Sequence, residues 1–155
     1  MKVDNVAQHV IDMVRPTKHC HQRHGYGEIK MAKAKVKEIQ WLPDAEEHDY
    51  PAAESFLRII YRDDKVAEMV ANLRRTAIVQ FKAKDLFIAS QLSLLGVSNS
   101  HVEKDRKNIR KGKPLSPLLL VRDEVNGKVV IADGYHRLCA IYEFDEDALI
   151  QCKIV

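Results

Sequence analysis

The sequence predicts an α+β fold in which a helical N-terminal region precedes a half where strands and helices mix. Three observations carry this. Apolar runs of strand length recur after residue 76: "TAIVQF", "PLLLVRD", "KVVIAD" and "ALIQCKIV". Apolar residues recur at helical spacing before it. Asn126-Gly127 lies between two of the apolar runs and is a strong short hairpin signal.

The elements follow in order. "VDNVAQHVIDMVRP" predicts a short amphipathic helix, with Val6, Val10, Ile11 and Val14 on one face and Pro16 as its stop. "YPAAESFLRIIYRDDKVAEMVANLRR" predicts helix, broken near Asp63-Asp64. Its apolar positions are Ala53, Leu57 and Ile60, then Val66, Met69, Val70 and Leu73. "TAIVQFKAKDL" alternates and predicts a half-buried strand. "DLFIASQLSLLG" predicts a helical turn or tucked loop stopped by Gly96. "SNSHVEKDRKNIRKGK" predicts a helix capped by Ser98 or Ser100, with Glu103 completing a capping box and Gly112 and Pro114 ending it. "YHRLCAIYEF" predicts a helix, and "ALIQCKIV" a last alternating strand. The resulting organisation is an extension over 1–30, a mainly helical region over 31–76 and a strand-rich domain over 77–155.

Composition narrows the function classes. The chain has 155 residues, 46% hydrophobic and 30% charged, with a net charge of +3. Such mild basicity permits an anionic partner without requiring one. No run of about 20 apolar residues is present, so no membrane span is expected. Met1 to Lys18 lacks a continuous apolar stretch, so no secretory signal is expected. Cys20, Cys139 and Cys152 are too few and too scattered for a disulfide framework, which points to a reducing, cytoplasmic compartment. Cys139, in an apolar helix, and Cys152, in an alternating strand, are expected to be structural.

The chemistry concentrates in "IADGYHRLCA", Ile131 to Ala140. An apolar strand runs into Asp133-Gly134, and a helix starts near Tyr135. First-turn amides lack partners inside a helix and carry partial positive charge, so they favour an anion. Gly134 allows close backbone approach. His136 and Arg137 add donors at the same spot, and arginine can grip phosphate through two hydrogen bonds. The bland alternative has Asp133 capping the helix, with His136 and Arg137 as surface residues.

"VIADGYHRLCA", preceded by "LSPLLLVRDEVNGK" and followed by "ALIQCKIV", resembles the ParB/sulfiredoxin-like superfamily in the order helix, strand, hairpin, strand, signature, helix, strand. The resemblance covers roughly residues 77–155. It implies a small mixed sheet with packed helices. Partition proteins carry G-E-R-R at this position and sulfiredoxins G-C-H-R; here stand Gly134, Tyr135, His136 and Arg137. The form D-G-x-H-R is similar to variants in free-serine kinases and DGQHR-type proteins. The resemblance implies that these residues bind the phosphates of a nucleotide, ATP or CTP, with Mg2+ as a possible companion. It also places His101, Lys104 and Asn108, on the preceding helix, at positions that contact ATP in sulfiredoxins. Their spacing of three and seven puts them on one helical face.

Departures limit what carries over. The sulfiredoxin nucleophile is a cysteine, and Tyr135 occupies that position, so sulfinic acid reduction is not expected. The chain ends right after its last strand, with no helix-turn-helix, so a full partition-protein role is not expected either. Beside a triphosphate, Asp133 would hold magnesium or accept a hydroxyl proton; it is the candidate catalytic residue. Glu46, Glu47 and Asp85 are further candidate bases. Two functions follow: a phosphotransferase or nucleotide hydrolase, or a non-catalytic nucleotide-sensing or DNA-associated module that uses the basic stretch Lys104 to Lys113. Nuclease activity, a third, lacks the carboxylate cluster of two-metal chemistry.

In "HCHQRH", His19, Cys20, His21 and His24 suggest metal ligation, yet no second ligand group accompanies them. Gly27-Glu28 is encoded by GGN-GAR, which can contain a ribosome-binding sequence upstream of Met31. For a bacterial source this makes Met31 the expected native start, with residues 1–30 outside the functional domain.

Overall fold

A computed structural model describes residues 38–96 and 98–155. The expectations for the Val6–Val14 helix, the His19–His24 cluster and the Met31 start lie outside the described residues.

Two helices come first, α1 (Asp49–Ile60) and α2 (Asp63–Arg75), followed by β1 (Val79–Lys82) and α3 (Ala83–Ser90). Then come α4 (Ser100–Arg110), the hairpin β2 (Leu118–Asp123) and β3 (Lys128–Asp133), α5 (Tyr135–Phe144) and β4 (Leu149–Ile154). The sheet order is β1-β4-β2-β3. β4 runs parallel to β2 and antiparallel to β1, while β2 and β3 are antiparallel. The α+β class and a mixed sheet are therefore both present.

The sheet is covered on both faces, and β2 shows how. Leu118 and Leu120 point into a core shared with α3, α4 and α5. Leu119 and Val121 point into a second core, built with Ala53 and Leu57 of α1 and Val66, Val70 and Leu73 of α2. Strand side chains alternate between faces, so a strand buried on both reads as a continuous apolar run. The helices of residues 49–75 thus form one layer over the sheet. In β4, Ile150, Cys152 and Ile154 join the first core. Lys153 points the other way and is 2% exposed. Its ammonium donates to Asp44 Oδ1 (2.8 Å), Tyr50 Oη (3.1 Å) and the Arg74 carbonyl (3.1 Å), which satisfies the buried charge.

Several local expectations change. β1 is exposed along its whole length rather than half-buried; it lies at the sheet edge beside β4. The strand also ends at Lys82, and Ala83 and Leu86 become buried positions of α3. Ile60 is 48% exposed; α1 buries Asp49 and Tyr50 in the turn before Ala53 instead. The cap of α4 is Asn99, not Ser98 or Ser100: its side chain accepts from the amides of His101 and Val102. Asn126-Gly127 does close the hairpin, with Gly127 at φ +61° and Asn126 bonded to Asp123.

Candidate functional site

The site forms where β3 meets α5. Val130, Ile131 and Ala132 anchor the strand between the two cores, and Leu138 to Ile141 anchor the helix. Between these buried stretches, Asp133 to Arg137 are left half-buried at the surface. Gly134 makes the turn with φ +99°, a left-handed conformation that a side chain rarely adopts. A Cβ there would stand 2.6 Å from Leu118 Cγ, so the strand packs directly on this glycine.

Gly134 is itself the N-cap of α5, and no side chain caps the helix. This corrects the capping alternative for Asp133. Its carboxylate instead accepts from Arg137 Nη2 at 2.6 Å, an i,i+4 ion pair. The first-turn amides of α5 are thereby left to an outside acceptor.

α4 supplies the opposite wall. Val102 and Ile109 fasten it to the core, and His101, Lys104 and Asp105 line a cavity of about 390 Å³ together with Asp133, Gly134, Tyr135, His136 and Arg137. The rings of His101 and His136 stack at 5.0 Å between centroids. Asn108 does not line this cavity. It lies about 6 Å beyond Lys104 along the helix axis, and its carbonyl accepts from Lys111 and Lys113 at the helix end. A larger cavity of about 640 Å³ opens beside Trp41, Gln80 and Leu149, but it holds none of the predicted site residues.

Arg137 is the centre of the arrangement, with its side chain 15% exposed. Besides Asp133, its Nη2 meets Asp49 Oδ2 at 3.4 Å, and its buried Nε has no partner among the described residues. Asp49 is 3% exposed and accepts from the Ser116 hydroxyl, which in turn accepts from the Glu46 amide. The chain Ser116–Asp49–Arg137–Asp133 ties α1, the β2 approach and the signature turn together. Tyr135 donates its hydroxyl to the Ser93 carbonyl, which fixes the ring over the loop before α4.

Burial raises the carboxyl pKa of both Asp105 and Asp133 above the ordinary aspartate value, although the Arg137 charge opposes it in each case. Asp105 makes no ion pair among the described residues, whereas Asp133 is committed to Arg137. The lining cations Lys104 and Arg137 are thus balanced by two carboxylates.

Asp49, Asp105, Ser116 and Phe56, the last also in the cavity wall, were not singled out from the sequence. Asp105 had one available signal, its position one residue after Lys104. Asp49 lies 88 positions from Arg137, and nothing local announces the pairing. The candidate bases Glu46, Glu47 and Asp85 do not line the cavity, and Glu47 pairs with Arg74 at 2.7 Å. Glu46, His48 and Asp49 each bring a ligand-type atom to within 4.8 Å of the others, but Asp49 is already engaged by Ser116 and Arg137. In the basic stretch of α4, Arg106 and Arg110 pair with Glu103 and lie over the Phe144 ring, and Arg106 also meets Glu143. Arg106 thus joins α4 to α5, while the Arg110 side chain stays exposed. Cys139 and Cys152 are both buried. No helix among the described residues is long and apolar enough to cross a membrane.

No protein-family model, curated protein or solved structure matches this chain.

Proposed function

We propose that the cavity between α4 and α5 binds the phosphates of a nucleotide, ATP or CTP, and that the chain is a ParB/sulfiredoxin-like protein. One observation carries the reading. An uncapped helix start, turned by a glycine at positive φ, shares a cavity with Arg137, His136, His101 and Lys104. Amides, guanidinium and ammonium together suit a polyanion. The mixed sheet and the order of elements around the signature agree with that superfamily.

The charge balance makes a further demand. With Asp105 and Asp133 ionised, Lys104 and Arg137 are already matched, so a triphosphate needs a cation or protons to accompany it. The carboxylate oxygen of Asp133 that Arg137 does not engage fits Mg2+, which binds through one or two carboxylates plus phosphate oxygens. Bound there, the ion would neutralise phosphate charge. Asp133 then keeps Arg137 at the turn, and Asp105, free of an ion pair among the described residues, is the proton acceptor for a phosphoryl-transfer or hydrolytic step.

Calorimetry with ATP and CTP, each with Mg2+, tests the reading. Arg137→Ala should weaken binding by roughly 1.5–3 kcal/mol, the usual worth of a charge-assisted hydrogen bond. Equal affinity in the variant and the natural chain refutes it. Release of inorganic phosphate would make the protein a hydrolase, and nucleoside diphosphate formed only when a hydroxyl acceptor is supplied would make it a phosphotransferase; binding with neither would make it a nucleotide-sensing module.

A further inference from the structure

The cavity has a second kind of wall. Its polar end is the signature turn, but Phe56 of α1 also lines it and is 40% exposed. Phe56 lies off the buried stripe of its helix, which runs through Asp49, Tyr50, Ala53 and Leu57. Ile59 and Ile60 are exposed on the same helix but do not line the cavity. Phe56 therefore stands apart as an aromatic surface facing the space in which the phosphates of the proposed ligand would lie. Tyr135, the other aromatic ring of the wall besides the imidazoles, is tethered to Ser93.

We infer that Phe56 is the stacking platform for the nucleobase, so that the cavity takes a nucleoside phosphate rather than a bare polyphosphate. The inference rests on the phosphate reading above and deepens it. An exposed phenyl ring presents a flat apolar face, and every base has a π-face to lay on it. Phosphates held at the Gly134 turn would leave the nucleoside to extend along the cavity wall, and continuity of that one cavity with Phe56 gives the base its place. Stacking of this kind tolerates different bases, so ATP and CTP should both use it. It also gives α1 a role in ligand binding beyond covering the sheet.

The test compares ATP, CTP and tripolyphosphate, each with Mg2+, by calorimetry on the full chain. Phe56→Ala should lower ATP and CTP affinity roughly tenfold, a typical loss for one base stack, and leave tripolyphosphate affinity unchanged. Phe56→Trp should retain nucleotide binding, with indole fluorescence quenched by ATP and CTP but not by tripolyphosphate. Melting temperatures of both variants check folding; the exposure of Phe56 predicts little change. Nucleotide affinities unaltered in Phe56→Ala overturn the inference, as does an equal loss for tripolyphosphate. A natural chain that binds tripolyphosphate as tightly as ATP and CTP overturns the base platform and leaves the phosphate site standing. A natural chain that binds none of the three overturns both.

Discussion

Arg137 Nη2 lies 3.4 Å from Asp49 Oδ2, joining the first helix to the signature turn through a carboxylate that is 3% exposed. Without Asp49, Arg137 still has Asp133 at 2.6 Å, but the Ser116 hydroxyl loses its buried acceptor, which costs on the order of 1–3 kcal/mol. Asp49→Ala should therefore destabilise the fold by about that amount in urea unfolding. Asp49→Asn, which keeps an oxygen for the Ser116 hydroxyl, should cost less. Both should weaken nucleotide binding, because Arg137 loses one of its restraints. Stability unchanged in Asp49→Ala would show that the Ser116 contact is not formed in solution.

The glycine of the turn has a different sensitivity. Gly134→Ala places a Cβ 2.6 Å from Leu118 Cγ at a φ of +99°. Backbone strain of this kind costs on the order of 1–3 kcal/mol before any steric cost is added. Denaturant unfolding should show a loss of at least that size. A neutral effect would mean that the turn adopts another conformation.

The pH dependence of stability reports on Asp105. Its folded pKa is raised by burial above the unfolded value. The stability this contributes is fully present below the unfolded pKa, about 3.9, and is lost as pH rises through the folded pKa. Asp105→Asn, which cannot ionise, should escape that loss. Its melting temperature relative to the natural chain should climb as pH rises from about 4 and level off above the folded pKa. A constant difference across that range would mean that Asp105 is not buried as described.

The cysteines should be inert. Burial raises the Cys139 thiol, and it pushes Cys152 up to about 12. Thiolate is the reactive form, so neither should label quickly with a thiol reagent under native conditions. Rapid modification of either, located by mass spectrometry, would place that residue at the surface.

The sequence disclosed the site where the chemistry is local and concealed it where it is not. Asp133 to Arg137 are contiguous and follow an apolar strand, so the strand-to-helix junction was legible, as were His101 and Lys104 on the facing helix. The role of Asp133 was not: an aspartate before a helix commonly caps it, and only the left-handed Gly134 shows that the cap has moved one residue on, freeing the carboxylate for Arg137. Asn108 shares the polar face of α4, but a helix face is longer than the cavity it borders. Glu46, Glu47 and Asp85 match a base by residue type alone, and the carboxylates that join Asp133 at the site are Asp49 and Asp105. Asp49 arrives through tertiary packing of α1 on the sheet, which no spacing encodes. Fold class was legible from apolar periodicity, whereas the exposure of β1 depends on strand order and on which strands the helices pack over, and both are tertiary.

The central claim is that an anion binds at the start of α5. Amide nitrogen and proton shifts followed by NMR during titration with ATP and Mg2+ test it most directly. The account predicts that the largest changes fall on Gly134, Tyr135, His136 and Arg137, with smaller ones on His101 and Lys104 across the cavity. No shift at these amides up to millimolar nucleotide, or changes confined to another surface such as the cavity beside Trp41, would contradict it.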